Sequence, residues 1–245
     1  MSDVEVAAAA ARAAAAALLQ LRAEGRSSGR ALGDAGDAAA QAAITGVLGA
    51  ARPADVVFSE EAADDRRRLD AARVWIVDPL DGTREYGEPG RPDWAVHVAL
   101  WADGDLAAAA VALPALDEVL VTDPAPAVPA AGGGRLRIAV SRTRPPDQAG
   151  AAAAALDADL VPLGSAGFKV TAVVRGEVDA YVHAGGMYQW DSAAPVAVAR
   201  AAGLTAVRLD GTPLSYNGAD PWLPDLLVCR PELAGRLLAA VRPAG

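Results

Sequence analysis

The segment Val74 to Tyr86, VWIVDPLDGTREY, concentrates chemistry in a few residues. Its apolar run predicts a buried strand that delivers Asp78 to its C-terminal end, and Pro79 biases Asp78 toward extended geometry. The chain must then turn, so that Asp81, three residues on, can point into the same space. Two carboxylates brought together in this way suit a hard cation. Gly82 lacks a Cβ, so a ligand can approach its backbone, and Gly82-Thr83 is placed to open a helical turn whose free N–H groups would meet an anion. One loop therefore offers cation ligands beside a phosphate cradle.

Two remote segments can complete it. Val56-Val57-Phe58 predicts another strand, ended by Ser59-Glu60-Glu61. In Trp190-Asp191-Ser192-Ala193-Ala194-Pro195, Asp191 falls where a helix N-cap is expected, with Pro195 in the first turn, where no amide hydrogen bond is lost. Glu60, Asp78, Asp81 and Asp191 around one point would repel each other and any phosphate unless cations sat among them. An all-oxygen set of this kind suits Mg²⁺, whose charge would reverse the local field. Taken singly, each feature has a plainer explanation as a turn, a solvated charged face or a cap; their combination points to a site.

The elements that must position these residues can be read along the chain. A helix is predicted from Val4 to Arg22, then a Gly/Ser-rich connection from Gly25 to Gly36 and a helix from Asp37 to Ala50. The alanine run of the first helix is interrupted and flanked by charge. It falls short of the roughly 20 apolar residues that span a bilayer, and its acidic start is wrong for a secretory leader. Strand-like runs at Trp94–Trp101, Leu106–Leu113 and Glu118–Thr122 predict an antiparallel meander. The Pro/Gly-rich stretch Thr122–Gly134 marks a boundary between an N-terminal α+β domain, 1–130, and a C-terminal α/β domain, 131–245. Beyond it, Leu136–Ser141, Asp147–Leu156, Leu160–Leu163, Gly167–Arg175, Val178–Val182 and Ser192–Ala202 alternate strand and helix.

Composition narrows the function. The chain has 245 residues, 53% of them hydrophobic, which is ample for a buried core. With 22 Lys+Arg against 31 Asp+Glu the net charge is −9, which argues against a partner whose affinity rests on phosphate neutralisation, whether a nucleic acid polymer or an anionic membrane. The single cysteine, Cys229, lies in an apolar run and reads as a buried inert thiol in a cytoplasmic protein. His97 and His183 alternate within apolar strands and read as structural. Trp75 and Trp190 read as packing beside site residues, while Tyr188 and Gln189 are expected to border the substrate pocket.

WIVDPLDGTREY, SEEA and WDSAAPVAVARAAG, together with GRPDWAVHVALW, RLDGTPLSYN and PDLLVCR, resemble the inositol monophosphatase-like superfamily, and within it the CysQ-type 3′(2′),5′-bisphosphate nucleotidases. The resemblance spans nearly the whole chain. It implies a layered αβαβα sandwich and a lithium-sensitive, Mg²⁺-dependent phosphatase acting on a small phosphorylated nucleotide in sulfate assimilation. Implied ligands of one Mg²⁺ are Glu60, Asp78 and the Leu80 carbonyl. Asp78, Asp81 and Asp191 would hold a second, and a third ion near Glu60 occurs in some members. Thr83 with Asp37, or with Asp34 as the rival, would orient the attacking water. Gly82 and Thr83 amides would hold the phosphate, Asp191 also meeting the substrate. Gly164, Ser165 and Lys169 are expected to contact the ribose or the second phosphate, with Ser141-Arg142 as a further candidate. Sibling activities on inositol monophosphate or fructose 1,6-bisphosphate share the metal site, and a non-catalytic metal- or nucleotide-binding regulator is the rival of another class. Homodimers are common for such folds, but no segment marks an interface.

Overall fold

The computed structural model describes residues 1–241. Helices α1 (Asp3–Glu24) and α2 (Gly29–Ala51) pack along each other. Ser2 starts α1 with a reciprocal cap: its hydroxyl accepts the Glu5 amide at 3.2 Å and its own amide donates to the Glu5 carboxylate at 2.7 Å. Five strands follow, β1 (Val56–Ser59), β2 (Arg73–Asp81), β3 (Ala95–Ala102), β4 (Asp105–Leu113) and β5 (Glu118–Val121), with the short helix α3 (Thr83–Gly87) between β2 and β3. They form one sheet in chain order; β1 is parallel to β2 and the remaining pairs are antiparallel, as the meander predicts.

Residues 122–136 lead to the second sheet without helix or strand. It comprises β6 (Arg137–Ser141), β7 (Asp159–Leu163), β8 (Ala180–Tyr188), β9 (Thr205–Val207) and β10 (Trp222–Cys229), in the order β7-β6-β8-β10-β9. Helices α4 (Asp147–Leu156), α5 (Ala166–Val174), α6 (Gln189–Ala201) and α7 (Pro231–Val241) complete the fold.

Side-chain alternation assigns the layers. Along β2, Trp75 and Val77 join the buried face of α1 and α2, whereas Val74 and Ile76 turn toward α5 and α6. Along β10, Leu226 and Val228 meet the same middle helices, and Leu227 and Cys229 face α4 and α7. The stack is therefore α1/α2, first sheet, α5/α6, second sheet, α4/α7: the layered αβαβα sandwich. α1 is long and apolar enough to cross a membrane by length and composition, yet Val6, Ala7, Ala10, Ala11, Ala14 and Leu18 are fully buried against the sheet, so it is a core helix.

Three expectations are corrected. Helix α2 begins at Gly29, absorbing most of what composition marks as a connection. A Cβ on Gly33 would lie 2.5 Å from Thr83 Cγ2, and one on Gly36 would lie 2.7 Å from the Tyr86 ring, so these glycines let the helix approach the α3 loop. Strand β8 runs past Val182 to Tyr188, with Gly185 and Gly186 in left-handed conformations. Helix α6 begins at Gln189, which puts Asp191 at its third position and Pro195 inside the helix.

Candidate active site

Three elements bring carboxylates to one point. The parallel register of β1 and β2 pairs Ser59 with Val77, so the next residue, Glu60, comes alongside Asp78. Its amide donates to the Val77 carbonyl at 3.3 Å. The first turn of α6 carries Asp191, whose Oδ2 accepts the Tyr188 amide at 2.7 Å and so closes the turn as a capping group at N3, not as the N-cap itself. Carboxylate oxygens of Glu60, Asp78 and Asp191 lie within 4.8 Å of one another, and atoms of Asp78, Asp81 and His97 satisfy the same bound.

The electrostatics of this cluster are uncompensated. Asp78 is 1% exposed, and its Oδ1 accepts the Leu80 amide at 3.0 Å. Burial, then the charges of Glu60, Asp81 and Asp191, hold its carboxyl well above the ordinary range. Burial and the Asp81 charge push Glu60 up to about 7 and Asp191 up to about 8. Among the described residues no Arg or Lys forms an ion pair with any of the four; His97 lies nearest, with Nε2 3.3 Å from Asp81 and Nδ1 3.8 Å from Asp78, and the buried Lys169 charge acts on Asp191 from beyond ion-pair distance. A crowded carboxylate set built around the buried Asp78, with no Arg or Lys in direct ion pair, is the chemistry of a hard divalent-cation site. The cluster binds divalent metal.

Asp81 is held differently from the other three. Ser165 Oγ donates to it at 2.5 Å, the Ala166 amide at 3.1 Å and the Gly167 amide at 2.6 Å, so the start of α5 grips the carboxylate. The Gly164 amide donates to Asp93 at 2.6 Å, and Lys169 donates to the Gly164 and Ser165 carbonyls, both at 2.7 Å. Gly164, Ser165 and Lys169 do line the cleft, as expected, but the Gly164 amide, the Ser165 hydroxyl and two of the Lys169 donors are committed to the protein. The segment therefore also positions Asp81. Burial also pulls the Lys169 ammonium down to about 8.

On the other side of the cluster, Asp37 projects from α2. Burial and the charges of Glu61, Glu60 and Asp34 push it up to about 7, opposed by the neighbouring Thr83 hydroxyl. Asp34 is exposed and faces Arg30 at 3.8 Å, so Asp37 is the aspartate beside Thr83. The Thr83 hydroxyl donates to the Leu80 carbonyl at 3.2 Å. Gly82, with φ of 90°, turns the chain between Asp81 and Thr83.

A cleft of about 530 Å³ runs from Asp81, Gly82, Thr83 and Asp191 to Ser141, Arg142 and Arg144. Gln189 does not border it: it is buried, accepting the Asn217 amide at 2.6 Å and donating to the Asp220 carbonyl at 2.9 Å. Tyr188 is exposed and stacks on Trp190 with centroids 4.7 Å apart. Two neighbours of the site escape sequence reasoning. His97 is the buried, hydrogen-bonded structural histidine that its strand position predicts, with Nδ1 3.2 Å from the Trp190 carbonyl, but its place beside Asp78 and Asp81 is not legible in the sequence. Asp93 anchors the Gly164 loop. Both lie in or just before β3, and only pairing of β3 with β2, Asp78 opposite His97, reveals the first.

Comparison with known proteins agrees with this geometry. The sequence profile of the inositol monophosphatase family matches residues 2–244. A 3′-phosphoadenosine 5′-phosphate phosphatase of Mycobacterium leprae is 51% identical over 99% of this chain and 94% of its own. One of Mycobacterium bovis is 53% identical over 93% and 88%. The crystal structure of CysQ from Bacteroides thetaiotaomicron superposes with a TM-score of 0.81 at 24% identity, covering 94% of this chain and 97% of that one. With its five-layer sandwich and its acidic cluster, the chain belongs to the inositol monophosphatase family.

Proposed function

We propose that this chain is a cytoplasmic, Mg²⁺-dependent 3′(2′),5′-bisphosphate nucleotidase that converts 3′-phosphoadenosine 5′-phosphate to AMP and phosphate, accepts 3′-phosphoadenylyl sulfate, and serves sulfate assimilation. The observation that carries it is the convergence of Glu60, Asp78, Asp81 and Asp191 from three elements with no Arg or Lys in direct ion pair, in a chain half identical to phosphatases of that substrate. Glu60, Asp78 and the Leu80 carbonyl would hold one Mg²⁺, and Asp78, Asp81 and Asp191 a second, with room for a third beside Glu60. When bound, such ions supply positive charge against the phosphate and make water in the site more acidic.

The residues of the chain do the rest. Thr83 and Asp37 orient the attacking water, and Asp37, pushed up to about 7, accepts its proton near neutral pH. Water oxygen bonds to phosphorus as the bond to the ribose 3′ oxygen breaks on the opposite side, and that oxygen leaves with a proton from solvent. Backbone amides of Gly82 and Thr83 hold the phosphoryl oxygens as charge builds on them. The start of α5 keeps Asp81 in place. The presence of Asp37 and Thr83 beside the cluster favours an enzyme over a regulator that merely retains the scaffold. Phosphate release from 3′-phosphoadenosine 5′-phosphate, inositol 1-phosphate and fructose 1,6-bisphosphate at matched concentration tests the choice. The nucleotide should lead, with activity abolished by chelator; a clear preference for inositol 1-phosphate overturns it.

A further inference from the structure

Four cationic side chains line the cleft: Arg84, Arg142, Arg144 and Lys169. Their partners separate them. Lys169 is buried and gives its ammonium to the Gly164 and Ser165 carbonyls. Arg142, which the sequence offers as a phosphate ligand, is consumed by carboxylates, with Nε 2.5 Å from Glu85 and Nη2 2.6 Å from Glu88. A guanidinium clamped between two carboxylates has little net charge left for a ligand. Arg84 follows Thr83 directly and belongs to the end of the cleft that holds the scissile phosphate.

Arg144 lines the same cleft from the loop after β6. Its side chain has no hydrogen-bond or ion-pair partner among the described residues, and its backbone is fixed by its amide donating to Ser141 Oγ at 3.2 Å. The neighbouring imidazole cannot take its place. His183 Nε2 lies 2.8 Å from the Gly186 carbonyl and must carry the proton of the neutral ring, which leaves Nδ1 as an acceptor. Burial, with the nearby charges of Lys169 and Arg144, holds that ring below the ordinary histidine range. The cleft thus joins an anion-binding end beside the acidic cluster, where Arg84 lies, to an uncommitted guanidinium on the loop after β6.

We propose that Arg144 receives the non-scissile phosphate of a nucleoside bisphosphate and thereby sets the preference of this site for bisphosphates over monophosphates. The proposal deepens the nucleotidase reading and rests on it. A planar guanidinium meets a phosphate dianion through two parallel N–H···O bonds, a geometry that neither the spent Arg142 nor a lysine reproduces.

The test is the ratio of kcat/KM for 3′-phosphoadenosine 5′-phosphate to that for 3′-AMP, which carries only the scissile phosphate. In Arg144→Gln this ratio should fall by about 10- to 100-fold, chiefly through KM for the bisphosphate, and Arg144→Lys should recover part of it. Arg142→Gln serves as comparator and should leave the ratio within about twofold of the parent while lowering the melting temperature. A parent enzyme that prefers the bisphosphate, together with an unchanged ratio in Arg144→Gln, overturns the role of Arg144 and leaves the nucleotidase reading standing. A parent enzyme that hydrolyses neither nucleotide overturns both.

Discussion

Asp78 and Asp93 are buried alike, 1% and 2% exposed, yet the fold treats them as opposites. Asp93 sits against Arg91, whose Nε is 2.8 Å away, and accepts the Gly164 amide; these partners hold its carboxyl below the ordinary range in spite of burial. Asp78 has one amide and three neighbouring carboxylates, and its carboxyl is held far above that range. Burial is common to both, so the difference lies in who supplies the compensating charge. At Asp93 the protein supplies it. At Asp78 an external cation must.

Substitution by asparagine separates the two cases most sharply. Asp78→Asn should lower kcat/KM by at least about 10³-fold, because a charged ligand of the cluster is lost. Yet in the presence of chelator at pH 8 its melting temperature should rise: one like charge is gone, and the asparagine carbonyl can still accept the Leu80 amide. Retained activity, or a lower melting temperature under those conditions, would break the comparison. Asp93→Asn should do the reverse for stability, losing about 1–3 kcal/mol in urea unfolding as Arg91 loses its nearer carboxylate and keeps only Glu88 at 3.8 Å. A neutral outcome there would mean that the Arg91 pair adds nothing.

The smallest effect is in the pH dependence of the chelated protein. Glu60 at about 7, Asp191 at about 8 and Asp78 above its ordinary value keep protons that an unfolded chain releases near pH 4. The folded state therefore binds more protons than the unfolded one. The contribution of these groups is fully present below about pH 4 and is lost as pH rises toward 8. Asp93, with a depressed value, contributes above about pH 4 and loses that contribution in acid. Thermal unfolding with chelator should accordingly occur several degrees lower at pH 8 than at pH 5.5, and Mg²⁺ at pH 8 should remove the gap. Equal melting temperatures with chelator would show that the cluster is already neutralised from within.

The parts legible in the sequence are those set by local pattern. The apolar run of β2, the length of α4, and the turn forced by Pro79 and Gly82 follow from residue types over short windows. Asp191 could be matched to Asp78 only because WDSAAP and DPLDGT resemble a known pair of motifs; no spacing rule links them. What stayed hidden depends on what lies opposite. Gly33 and Gly36 look like a linker until Thr83 and Tyr86 are seen pressing against α2. That Ser165 and Lys169 also bind Asp81 and the loop carbonyls is seen only in the folded chain. His97 resembles any polar residue in a strand until pairing sets it across from Asp78.

Helix α6, wedged between the two sheets, has a bearing on how the molecule comes into being. More than half the chain length separates Glu60 from Asp191, and the latter reaches its place only when α6 is seated against both sheets. Contacts so distant along the chain are costly to close early. A chain in which α6 is not yet seated therefore lacks the Asp191 carboxylate beside Asp78, and the full demand for metal arises only with that docking. Ion capture then acts as a seal on completed architecture, withheld from every incomplete form.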